Sequence, residues 1–141
     1  MDNTERVIDK LDGIPQKHEL LKGLFNVFQG NLSRLEAADF PLSCIQVETA
    51  SDSRSIVRFL DREYEIRFGS VVTGNSVSGS ISICRVLNRS GGKITELTSR
   101  TFNNEAVVSI QPPSSHQSIR LSDESECITL VLNWIYDEIN S

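Results

Sequence analysis

Two histidines and three cysteines carry most of the nucleophilic and metal-binding chemistry open to this chain: His18, His116, Cys44, Cys84 and Cys127. His116 follows Ser114 and Ser115 in an irregular stretch, residues 111–122, where an imidazole beside hydroxyls has the makings of a Ser or Cys hydrolase. None of the cysteines has a nucleophile's context. Cys44 stands near a strand start, Cys84 on the polar side of a strand, and Cys127 on the apolar side of the last helix. The cysteines lie 40 and 43 residues apart and the histidines 98 apart, so no zinc clasp or thiol-exchange pair is formed, and no metal or cofactor is expected. Neither the run from Gly69 to Gly74 nor Ser90-Gly91-Gly92-Lys93 ends in the Gly-Lys-Ser/Thr that cradles phosphate at a helix start. The reading is of packed thiols and a solvated loop histidine, without a recognisable catalytic centre.

The arginines are more informative. Ten of the 14 basic residues are Arg, and the charge is unevenly placed. Residues 1–53 sum to −4, residues 54–100 to +4 and residues 101–141 to −5. The middle strands therefore form a basic block between acidic ends. Arg85 shares the parity of the apolar side of its strand, opposite Tyr64 on one neighbour and Thr95 on the next. Three readings stand open: a guanidinium that reaches out past the sheet margin, a polar notch of Tyr64, Arg85 and Thr95 that binds a small anionic ligand, or an ion pair with an acid of the last helix such as Asp137 or Glu138. On the polar side, Arg58, Arg67 and Arg100 stand among Glu63, Glu65 and Glu96, with Ile56 and Leu60 between them. Such a mixture suits a protein interface, whereas nucleic acid would call for aromatic platforms and uninterrupted positive charge.

The elements that position these residues follow from periodicity. Val7, Ile8 and Leu11 belong to a short first helix, and Gly13 with Pro15 supplies a stop and a new start. From Pro15 to Ala38, Leu21, Leu24, Phe28, Leu32 and Leu35 form one helical stripe, in which Gly23 and Gly30 mark a close approach or a kink. Between Ser43 and Ile110 the period becomes two. A Gly74-Asn75 hairpin turn pairs Val72 with Val77, Ser70 with Gly79, Phe68 with Ile81, Ile66 with Ile83 and Tyr64 with Arg85. A turn at Asp61-Arg62 pairs Phe59 with Tyr64 and sets Arg58 opposite Glu65. The next two turns pair Ile83 with Leu97 and Ser99 with Val108. A last helix opens near Ser122 or Asp123, with Asp123 and Glu126 forming a capping box, and carries Cys127, Ile128, Val131, Trp134, Ile135 and Ile139.

The fold expected is α+β, one domain over residues 1–141: N-terminal helices (1–40), a six-stranded antiparallel meander (43–110) and a C-terminal helix (122–140), with the helices covering the sheet's apolar face. Length, 15.7 kDa mass and 38% hydrophobic content agree with a globular chain and exclude a disordered tail or a 20-residue apolar span. The odd cysteine count and the acidic N-terminus point to a cytoplasmic protein. In layout the chain resembles small bacterial or phage accessory proteins that occupy a partner, such as immunity proteins and inhibitors. It differs from type III secretion chaperones, which need a helix amid their strands. The resemblance carries no motif. The function expected is non-enzymatic protein binding or partner sequestration, with a homodimer as one form, and anionic-ligand binding as the alternative.

Overall fold

The computed structural model describes residues 3–74, 76–88, 92–109 and 119–140. Helices α1 (Asn3–Asp12) and α2 (Ile14–Asn31) meet at Gly13, whose φ of −83° and ψ of −11° keep the chain in the right-handed region. A 3-10 turn (Leu32–Glu36) continues α2. Leu21, Phe25, Phe28, Leu32 and Leu35, at steps of 4, 3, 4 and 3, are all buried, so the stripe runs through Phe25 rather than the half-buried Leu24. Neither Gly23 nor Gly30 marks a close approach, since a Cβ at either would meet nothing within 4 Å.

The strands are β1 (Ile45–Ser51), β2 (Arg54–Phe59), β3 (Arg62–Thr73), β4 (Ser76–Asn88), β5 (Lys93–Phe102), β6 (Val107–Val108) and β7 (Ile119–Arg120). They form an antiparallel sheet in sequence order, before a final helix α3 (Glu124–Ile139). This is the α+β arrangement expected, with seven strands among the described residues instead of six. The extra strand is two residues long and pairs with β6, too short for alternation to reveal.

Around the β3–β4 hairpin every expected pair is present, from Val72 with Val77 to Tyr64 with Arg85. Gly74 supplies the positive φ, 60°, that the turn requires. Two other turns depart from expectation. Leu60 itself adopts a φ of 57°, so the β2–β3 turn closes one residue earlier, Phe59 pairs with Arg62, Val57 with Tyr64, and Arg58 with Glu63 instead of Glu65. A shift of two leaves every side chain on its face. Between β4 and β5 a bulge does the opposite. Ile83 pairs with Thr98 and Cys84 with Glu96, which leaves Leu97 as the extra residue. Leu97 is accordingly exposed, Arg100 pairs with buried Ile81, and Phe102, not Ser99, pairs with Val108.

Helices α2 and α3 cover the face bearing Val57, Tyr64, Ile66, Ile81, Ile83 and Phe102. Phe25, Phe28, Phe68 and Phe102 form a chain of ring contacts with centroids 5.5 to 6.1 Å apart. Asp123 caps α3 by accepting from the Glu126 N–H at 3.0 Å. The Glu126 carboxylate does not close the box; it accepts from the Arg120 N–H of β7 at 2.8 Å. At the sheet margin, the Glu36 carboxylate accepts from the Val47 N–H of β1 at 2.8 Å.

The uncovered face departs from expectation at Glu65. Its residue exposure is only 5%, between Arg54 and Arg67. Ile66→Ala is expected to cost about 2–5 kcal/mol, as a core truncation. Glu65→Ala is expected to cost about 1–2 kcal/mol, more than a solvated carboxylate but tempered by the water that reaches both arginines. Denaturant melts of the two variants check the order, and equal losses would contradict it.

Candidate functional site

Arg62 and Tyr64 lie two residues apart on β3 and so point to the same, helix-covered side, and Tyr64 stands directly opposite Arg85 of β4. The last turn of α3 brings Glu138 into their midst. Its Oε2 accepts from Arg62 Nη1 at 2.7 Å and from the Tyr64 hydroxyl at 2.8 Å, while Oε1 accepts from Arg85 Nη1. The Arg85 guanidinium also lies over the Tyr64 ring, 5.8 Å from its centroid. Burial pushes the Tyr64 phenol up to about 12, and donation to Glu138 adds to the rise. For Glu138, burial alone would raise the pKa. The hydrogen bonds from Tyr64 and Arg85 and the charges of Arg85 and Arg62 outweigh it and hold the carboxyl below its usual range.

Of the three readings of Arg85, the geometry is that of the ion pair with Glu138. Tyr64 and Arg85 are brought together as the sequence suggested, and Thr95 stands opposite Arg85 but is exposed. The anion in the notch is supplied by the chain itself. The cluster's chemistry is that of a clamp fixing the C-terminal end of α3 to β3 and β4. Sequence reasoning missed Arg62, whose helix-side parity was readable once Tyr64 was placed there.

Arg58, Arg67 and Ile56 share the uncovered sheet face as expected. Arg58 donates to Glu63 at 2.9 Å and to Glu48 at 3.1 Å, and Glu65 receives Arg54 at 3.0 Å and Arg67 at 2.8 Å. Each of these arginines therefore has a carboxylate partner. Leu60 sits on the β2–β3 turn, 67% exposed. Arg100 does not join this face. The bulge at Leu97 turns it to the helix side, where it reaches Thr98 Oγ1 at 3.3 Å and the Ser99 carbonyl at 3.2 Å.

Among the groups considered for catalysis, His116 lies outside the described residues. Cys84 is buried on the uncovered face and burial raises its thiol; Cys127 is buried in the core, where its thiol is pushed up to about 11. Cys44 is exposed at the start of β1. His18, the other imidazole, has its Nδ1 2.7 Å from the Ser70 hydroxyl and its ring 5.2 Å from Phe68. This pair ties α2 to β3, and no carboxylate among the described residues orients the imidazole as a base would require. Among the described residues no group of His, Cys, Asp and Glu could hold a metal ion, and no helix is long and apolar enough to cross a membrane.

The feature least expected is α1. It buries no residue, and Val7, Ile8 and Leu11 are 52%, 57% and 57% exposed. Between α1 and the β3–β4 hairpin tip runs a groove of about 530 Å³, lined by Val7, Leu11 and Ile14 from the helices, by Val72 and Val77 from the hairpin, and by the charged side chains of Asp9, Lys10 and Lys17. The stripe was legible in the sequence. Its lack of cover was not, because that depends on how far α1 overhangs the sheet. No family model, curated protein or solved structure matches the chain.

Proposed function

We propose that this chain is a non-enzymatic protein-binding domain that acts by occupying another protein chain, in the manner of a small accessory or inhibitor protein. The observation that carries the reading is α1. A ten-residue helix gains little stability alone, and this one holds its apolar side chains in water instead of against its own core. A partner surface that buries them recovers a hydrophobic gain the isolated chain forgoes. The three free cysteines, two of them buried, support placement in a reducing cytoplasm.

Val7→Asp combined with Leu11→Asp is the test. Neither side chain is part of the core, so the thermal midpoint is expected to stay within about 2 °C of the parent, while co-purification and crosslinking lose the associated chain. Retention of the same complex by the double variant would remove α1 as the working surface.

A further inference from the structure

We propose that the cleft between the C-terminal half of α3 and the β1–β2 pair binds a small uncharged molecule, an apolar body carrying one neutral hydrogen-bonding group that pairs with Asn133. The site is separate from α1, and the inference goes beyond the protein-binding reading.

Leu132, Ile135, Tyr136 and Ile139 stand at i, i+3, i+4 and i+7 of α3, so they form one stripe along the helix, and all four line the cleft. Ile45 and Phe59, directly opposite each other across the β1–β2 ladder, line it from the sheet. The space between them is about 350 Å³, within the roughly 300–1,000 Å³ of small-molecule sites. Ile45 and Ile135 are buried, whereas Tyr136 and Ile139 are exposed. The cleft therefore has an apolar floor and an open rim.

The backbone that shapes the floor is held in costly conformations. Cys44 precedes Ile45 with a φ of 65°, and Leu60 follows Phe59 with a φ of 57°, both in the left-handed region that residues with a side chain seldom adopt. The Leu60 N–H donates to the Cys44 carbonyl at 3.3 Å, which ties the two turns together. Strain of this kind collects at ligand-holding sites, and here it fixes both strand ends that supply the floor.

The lining selects the chemistry of the ligand. Among the described residues no charged side chain lines the cleft, and Arg62, across the β2–β3 ladder from Phe59, already donates to Glu138. A carboxylate entering this lining would lose water without gaining a cation. The Asn133 amide, half-buried in the same lining, makes no hydrogen bond to another described residue. It offers two donors and an acceptor, the complement of a neutral amide. The rings of Phe59 and Tyr136 favour an aromatic body.

Titration of 4-phenylbutanamide into the isotopically labelled full chain, followed at the methyl resonances of Ile45, Ile135 and Ile139, tests the inference. Saturable shifts are expected, with a dissociation constant of about 1 mM or tighter for so small a probe. The carboxylate of the same shape, 4-phenylbutanoate, is expected to bind at least about tenfold more weakly. Asn133→Leu keeps the size of the side chain, so it should leave the fold intact, weaken the amide about tenfold and leave the carboxylate as weak as before. Absence of saturation, equal affinity for the carboxylate, or an amide affinity indifferent to Asn133→Leu would each overturn the inference. Movement of the same methyl signals on diluting the protein alone would show a second copy in the cleft. A co-purifying chain that competes with the probe for these methyls would show a protein partner there, and either outcome overturns the small-molecule reading.

Discussion

Glu138→Ala is expected to destabilise the protein by about 3–5 kcal/mol, because it leaves two guanidinium groups and a phenol without the carboxylate they share. The side chains of Arg62, Arg85 and Glu138 are 31%, 21% and 14% exposed, too little for water to replace the lost partner fully. Arg85→Met removes one cation and retains much of the apolar stem. Because it leaves Glu138 with Arg62 and Tyr64, its expected cost is the smaller of the two, and the double variant should cost less than the sum of the single ones. The pH dependence has a definite sign. Glu138 has a lowered pKa in the folded chain, so its contribution is fully present above the unfolded value of about 4.5 and is lost as pH falls through the folded value. Melts of parent and Glu138→Gln compared from pH 7 downward should therefore converge in acid. A gap that persists unchanged would show that the carboxylate's charge is not what the cluster uses.

Phe102→Ala should cost a comparable amount, about 3–5 kcal/mol, for a different reason. The ring is buried at the end of β5, 6.1 Å from Phe68, and lies against Gly79 on the neighbouring strand. A Cβ built on Gly79 would come within 2.1 Å of the ring, so the glycine's missing side chain is the space the phenylalanine fills. Gly79→Ala is accordingly expected to destabilise as well, by about 1–3 kcal/mol, through overpacking. Combining Gly79→Ala with Phe102→Leu should recover part of that loss. Strict additivity of the two substitutions in urea melts would show that the ring and the glycine are not coupled.

The sequence carried most of the sheet because side-chain alternation and a Gly-Asn turn both speak to register, and from Tyr64 to Val72 they agree. It failed where a single residue changed the count. Leu60 occupies a left-handed conformation that nothing in a leucine announces, and Leu97, apolar and correctly spaced, is the bulge residue that puts Arg100 on the other face. In a strand, one inserted residue reverses every side chain after it, so a local error became a misplaced interface arginine. The clamp was half legible. The parity of Arg85 demanded a partner, and the acids of the last helix were candidates, but only the packing angle of α3 selects Glu138. Glu65 lies on the polar face where alternation puts it, but alternation tells which face a residue occupies, not how closely two neighbouring arginines fold over it.

The hydrogen bond from Val47 to Glu36 bears on the crowded life of this chain at high concentration. β1 closes one margin of the sheet, and a closing strand ordinarily offers its backbone to any extended segment that drifts alongside. Here the Val47 N–H is already taken by a carboxylate from the turn that follows α2, and that side chain brings a negative charge to the margin. An incoming strand that paired at Val47 would have to displace the carboxylate there. The glutamate thus acts as a stopper against sheet-to-sheet growth at this margin.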